Sequence, residues 1–189
     1  MFEYGYVIGV VLGDGCLYKY NSNYSIILET TNPMFANRFK NAIESLCGKK
    51  SQFKTKTRTR VWNRGKKTYE YSFDVYRVEM YSKLWFNIIG NIKERILNDN
   101  FCPMDKDFCR GIIKGFFDSE GYYAVYKYPW KKIVFYNKNI VLLNFIKSLL
   151  SSFGISVSGI YPSVEDAELT IYKQNEVNKI TQLIDINKK

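Results

Sequence analysis

The chain predicts an α+β fold built from two pseudo-symmetric repeats, each running helix–strand–strand–helix–strand–strand–helix. Three observations carry this reading. Small residues at every fourth position, followed by an acid and a glycine, occur twice: Gly5, Gly9 and Gly13 before Asp14-Gly15, and Gly111, Gly115 and Ser119 before Glu120-Gly121. Downstream, a helical pattern ends on a glycine 34 residues after the acid in both copies, at Gly48 and Gly154. The stretches beyond the glycines are strand-like, with the period of two that a pleated strand imposes. Unrelated segments are not expected to keep such a register, so the internal repeat is the first fact to explain.

The elements follow in order. Small residues at i, i+4 and i+8 share one face of a helix. They make a groove without side chains, into which a second such helix can settle with the backbones almost touching. Glycine inside a helix costs ~1 kcal/mol against alanine, and a close crossing supplies the reason to keep it. Asn32-Pro33 opens a second helix with Phe35, Phe39, Ile43 and Leu46 on one face, stopped at Gly48. From Phe53 to Val61 the alternation is strict. Lys54, Lys56, Arg58 and Arg60 point one way, and Phe53, Thr55, Thr57, Thr59 and Val61 the other. Tyr81-Ser82-Lys83 then leads into a helix carrying Trp85, Ile88, Ile89 and Ile92.

Residues 98–107 read as a linker, with Asn98, Asp99, Asn100 and Pro103 as loop formers. They divide the chain into a first repeat, 1–97, and a second, 108–189. In the second, Asn137 or Asn139 precedes a helix with Val141, Phe145 and Leu149, and Tyr172-Lys173-Gln174 leads into Val177, Ile180 and Ile184. From capping glycine to tyrosine is 33 residues in the first repeat and 18 in the second, so the extra length falls in the first-half hairpin.

Composition narrows the function. The net charge of +10 over 189 residues indicates a polyanionic partner, because phosphates draw Lys and Arg and release counterions. There is no histidine, which excludes Cys2His2 fingers and histidine-based nuclease sites. No Asp-x-Lys or Glu-x-Lys occurs, which argues against the commonest restriction-enzyme metal site. Cys16, Cys47, Cys102 and Cys109 show no CxxC spacing, so free thiols in a reducing compartment are expected. The longest apolar stretch, Val7 to Leu12, is too short for a bilayer, and an intracellular, soluble protein without a membrane partner is expected.

Two features point to chemistry. If the glycine-rich helices pair, Asp14 and Glu120 come together near two negative helix ends and repel. A bound divalent cation relieves this, and hard oxygen ligands favour Mg2+, with Ca2+ or Mn2+ as possible substitutes in vitro. The alternating cations of 53–61 suit phosphates and guanine edges in a major groove, which admits a two-stranded ribbon. Arg64, Lys66 and Lys67 at the hairpin tip are candidates for backbone contacts. In the second half Lys127, Lys131 and Lys132 hold the corresponding place, among Tyr126, Tyr128 and Trp130.

The segments Val7–Gly15 and Ile113–Gly121 resemble the two motifs of single-chain LAGLIDADG homing endonucleases, and the likeness extends over nearly the whole chain. Lys114 is unusual at the second motif position, which is read as lying off the helix interface. The resemblance implies that each half is a four-stranded antiparallel sheet with helices on one face. The motif helices would form the interface, and the sheets a saddle over double-stranded DNA. It implies that Asp14 and Glu120 bind the catalytic metal, with the carbonyls of Gly13 and Ser119 as further ligands. It assigns the water-organising polar position to Asn137, with Lys138 beside it for proton transfer, and to Glu29 or Thr31 in the first half, where the family often has glutamine. The implied activity is a double-strand break in a long, asymmetric DNA target, by a monomer, in intron homing. The same resemblance allows an RNA maturase whose partner is its own intron RNA, or a DNA-binding regulator without catalysis.

Overall fold

A computed structural model describes residues 1–65, 67–101, 105–125, 130–162 and 166–186. The first half consists of α1 (Phe2–Leu12), β1 (Cys16–Tyr20), β2 (Asn23–Thr30), α2 (Pro33–Cys47), β3 (Gln52–Arg64), β4 (Lys67–Tyr81) and α3 (Lys83–Leu97). The second consists of α4 (Lys106–Glu120), β5 (Gly121–Val125), β6 (Lys131–Asn137), α5 (Ile140–Ser152), β7 (Gly159–Pro162), β8 (Ala167–Ile171) and α6 (Gln174–Ile184). The order is the same in both halves. Each forms an antiparallel sheet, β1-β2-β4-β3 and β5-β6-β8-β7.

Local chemistry sets the helix ends. Asn32 Oδ1 accepts from the Met34 and Phe35 amides at 3.0 and 3.2 Å, satisfying two of the orphan donors at the start of α2. Gly48 closes the same helix at φ 65°, a conformation that glycine adopts without penalty. Ser82 and Asp105 cap α3 and α4 by accepting from Trp85 and Phe108. The helix α4 therefore opens at Lys106, two residues inside the stretch read as linker. Asn139, not Asn137, caps α5.

One core runs through both halves. Every residue of α1 from Gly5 to Leu12 is buried, which fits a helix apolar all round. Each sheet turns one face toward the helices: Ile26, Leu28, Val78 and Met80 in the first, Ile133, Phe135, Leu169 and Ile171 in the second, all fully buried. Burying side chains of this size stabilises the fold by about 1.5–3 kcal/mol each. The opposite faces mix buried residues, such as Ile27, Val75 and Val134, with exposed ones. The length difference falls where the spacing put it: β3 and β4 pair over 13 positions, β7 and β8 over four. Much of the long ribbon stands clear of the core, with all of β3 exposed. Among the described residues no helix is long and apolar enough to cross a membrane.

Candidate active site and nucleic-acid interface

The crossing of α1 and α4 is a contact of backbones. A Cβ at Gly9 would run into the Ile112 carbonyl and lie 2.7 Å from the Phe116 amide. One at Gly115 would strike the Tyr6 carbonyl and lie 2.9 Å from the Val10 amide. Gly5 and Gly111 meet the partner helix in the same way, at Phe108 and Phe2. At the C-terminal ends a Cβ on Gly13 would stand 2.5 Å from Ser119 Cβ and 3.0 Å from Glu120 Cγ. The two acid-bearing ends are thus pressed against each other.

Asp14 lies two residues past the end of α1, and Glu120 is the last residue of α4. Crowding by protein atoms raises the Asp14 pKa. Glu120 is pushed up to about 7, chiefly by burial and then by the charge of Asp14; Asp166 adds to the shift. The Asn137 amide opposes it, donating from Nδ2 to Glu120 Oε1 at 3.0 Å. Two carboxylates so placed, one with its proton affinity raised by the charge of the other, form a site that a cation would stabilise. Among the described residues no three His, Cys, Asp or Glu side chains converge. The donor set would therefore be the two carboxylates with main-chain oxygens of Gly13 and Ser119. Such a set fits Mg2+, which keeps places for water and phosphate oxygens.

Asn137 also accepts from the Asn139 amide at 2.8 Å, which ties the site to the start of α5. The sheet register identifies its first-half counterpart. Cys16 and Tyr122, each two residues after the acid, pair with Ile27 and Val134. Counting on by three from each, Thr30 corresponds to Asn137, between the sequence candidates Glu29 and Thr31. Thr30 likewise accepts from a cap amide, that of Asn32, at 3.1 Å. The second-half hairpin is one residue longer, which hid this match from simple spacing. Lys138 is exposed, next to Asn137.

The cations divide by strand parity. Lys54, Lys56, Arg58 and Arg60 all lie on the face of β3 away from the helices, opposite Arg77, Val75, Phe73 and Tyr71 of β4. Arg64 ends β3, paired with Lys67. In the second sheet Lys132 has the parity of Val134, on the face away from the helices, opposite Ala124. Lys131 has the parity of Ile133, on the helix side, with its backbone held by Gln174. Lys127, Tyr126, Tyr128 and Lys66 lie outside the described residues. Asp14, Glu29, Thr31, Lys56, Arg58 and Arg60 line an open groove of about 730 Å³. Acid and basic stripe are therefore parts of one surface.

A family model described as a LAGLIDADG-like domain matches residues 107–184. The homing endonuclease I-DmoI, solved with DNA and Mn, superposes over 99% of this chain and 98% of its own, with TM-score 0.63 and 18% identity. The two halves of the chain fill that two-repeat architecture from end to end. The second half of the chain, residues 107–184, matches the LAGLIDADG-like domain family, and the whole chain has the two-repeat fold. Full-length DUF199/WhiA from Thermatoga maritima shares the fold at TM-score 0.65 and 14% identity, covering all of this chain and 57% of that one. An uncharacterized protein of Methanocaldococcus jannaschii is 29% identical over 168 residues, 81% of this chain. The chain spans about half the length of that relative, 55%.

Two features of the chain escaped the sequence reading. Lys114 in the second motif is buried, and its Nζ donates to Asp118 Oδ1 at 2.7 Å. Asp118 Oδ2 accepts from Tyr6 of α1 and Arg38 of α2, each at 3.0 Å. Burial, opposed by Asp118, lowers the Lys114 pKa. The second is Arg77, invisible as a stripe member because the residues before it on that face, Tyr69, Tyr71, Phe73 and Val75, are aromatic or apolar. Glu29 accepts from Arg58 Nη2 and Arg77 Nη1, both at 2.9 Å, and Arg77 also binds Glu79. The guanidinium of Arg77, with that of Arg58, holds the Glu29 carboxyl below its usual range.

Proposed function

We propose that this protein is a divalent-metal-dependent, site-specific endonuclease that cuts both strands of a long, asymmetric DNA duplex, with repeats 1–97 and 108–189 each reading one half of it. The convergence of Asp14 and Glu120 beside the groove carrying Lys56, Arg58 and Arg60 supports this most strongly. I-DmoI has been solved with DNA and with Mn, Mg or Ca, in keeping with the oxygen donors here.

Asp14 and Glu120, with the Gly13 and Ser119 carbonyls, would hold the cation. When bound, it supplies positive charge for polarising a phosphodiester and stabilising the leaving oxygen. Asn137 orients the Glu120 carboxylate through the bond at Oε1. The basic stripe holds the phosphates and keeps the duplex over the acids. With no histidine, proton transfer falls to ordered solvent or to Lys138.

The test is cleavage of a randomised duplex pool with Mg2+ against EDTA, with the ends sequenced. Magnesium-dependent cuts at one asymmetric consensus are expected. Asp14→Asn should abolish cleavage and leave duplex affinity essentially unchanged, because it removes a metal ligand and no phosphate contact. Cleavage retained by that variant overturns the metal assignment. Tight binding of DNA or intron RNA without cutting would select the regulator or the maturase instead.

A further inference from the structure

The basic stripe is not uniformly free. Lys54 and Lys56 make no ion pair among the described residues, whereas Arg58 and Arg77 are both held by the one carboxylate of Glu29. Arg77 is held again by Glu79, which is buried and accepts from Nε and Nη2. The three strands β2, β4 and β3 contribute Glu29, Arg77 and Arg58 to one face, so a single acid ties the sheet's arginines side by side at the edge of the acid-lined groove.

An acid facing a polyanion costs affinity, so it needs a reason to be there. A free arginine binds any phosphate and adds sequence-independent affinity. An arginine whose guanidinium is pinned by a carboxylate must break that pair to follow a phosphate. Its remaining N–H groups stay fixed in direction, as bidentate contact with a guanine edge requires. Glu29 also repels phosphate oxygens that come close without a matching base. Resting on the duplex-binding reading above, we infer that Glu29 is a specificity-determining residue, which withholds Arg58 and Arg77 from the DNA backbone and aims them at base edges. The effect is discrimination against wrong duplexes more than affinity for the right one.

The experiment compares wild type with Glu29→Gln, an isosteric change at an exposed position. Each is titrated with the consensus duplex selected by the wild type and with the randomised pool, over a range of salt. Freeing Arg58 to take a phosphate, with Arg77 still held by Glu79, should steepen the slope of log affinity against log salt on the pool by about 0.9. Pool affinity should rise, and the ratio of consensus to pool affinity should fall. Adding Arg58→Ala and Arg77→Ala to the variant should return the slope to the wild-type value or below. An unchanged slope and an unchanged ratio, with the wild type still selecting a consensus, overturn the inference and leave the duplex reading standing. A lower Tm for Glu29→Gln without any change in binding overturns it as well, since the acid would then only brace the strands. Failure of the wild type to select any consensus overturns the duplex reading itself.

Discussion

Glu44 shows how one side chain can govern the geometry of a distant surface. It sits on the last turns of α2 and accepts from the Ser51 amide and hydroxyl, both at 2.9 Å, with Lys50 at 3.2 Å and Lys40 at 3.6 Å. These bonds close the loop that launches β3 and fix the root of the long ribbon. The Ser51 amide is the main cause that brings the Glu44 pKa down from 4.5 to about 2. The sign follows from linkage: a carboxylate held lower in the folded state stabilises the fold above about pH 4.5 and loses that contribution as pH falls toward 2. Glu44→Gln should therefore flatten the acid limb of a stability-against-pH curve in that window and lower stability at neutral pH. Urea titrations from pH 2 to 7 measure it, and parallel limbs for the two proteins would refute it. At this scale the sequence was legible where a residue has one dominant role, as for the capping Asn32 or the paired acids. It was illegible where identity hides a partner. Nothing in the string ties Glu29 to Arg77, because their meeting depends on a strand register that only the folded sheet supplies.

The helices α1 and α4 are legible as elements for a physical reason. Their glycines lack any purpose inside an isolated helix, and the crossing gives them one. Gly9→Ala or Gly115→Ala would place a methyl group against a partner carbonyl that is backbone and cannot yield. Overpacking of this sort costs about 1–3 kcal/mol. At about 2–4 °C per kcal/mol for a chain of this size, thermal melts should fall by several degrees. Gly90, within α3, meets only Leu17 Cδ1 at 3.6 Å, so Gly90→Ala should raise stability by roughly 0.5–1 kcal/mol through helix propensity alone. The two variants should thus move in opposite directions, and equal shifts would show that the crossing is looser than the contacts imply. The strands were harder to read. The alternation of cations and threonines announced β3, but β4 conceals its open face in Tyr69, Tyr71 and Phe73. Trp62 stacks on Tyr69 at 5.5 Å and Tyr71 on Phe73 at 5.5 Å, and Arg60 lies over Phe73 at 5.4 Å. Such contacts, across the strands for Trp62–Tyr69 and along β4 for Tyr71–Phe73, hold a ribbon that has no core beneath it, a cross-strand pair contributing a few tenths to about 1 kcal/mol.

At the scale of the whole molecule, two sheets of one plan carry arms of unequal reach. On the duplex reading, the footprint on DNA should extend further on the side covered by β3 and β4. Replacing residues 60–71 by a two-residue Asn-Gly turn would join Thr59 directly to Ser72, which already face each other in the register. That variant should protect a shorter footprint on one side only and show a shallower salt slope, having lost Arg60, Arg64 and Lys67. Hydroxyl-radical footprinting reports the first effect, and a footprint trimmed on both sides would contradict the assignment of arms to halves. The overall plan was readable because duplication writes the same spacing twice. The one-residue difference between the β1–β2 and β5–β6 hairpins puts Thr30, between the sequence candidates Glu29 and Thr31, at the register position of Asn137.

The bonds around Asp118 give the duplication a direction. Tyr6 and Arg38 come from the first repeat, Lys114 and Asp118 from the second, and the motif places Ile8 and Leu12 where the second copy has Lys114 and Asp118. A molecule assembled from two first repeats would offer Arg38 no acid, and one assembled from two second repeats would bury two lysine–aspartate pairs without the tyrosine and arginine that complete them. Neither half can stand in for the other. What began as a copy has become a mate, and on the duplex reading above neither half alone would rebuild the pair as a homodimer.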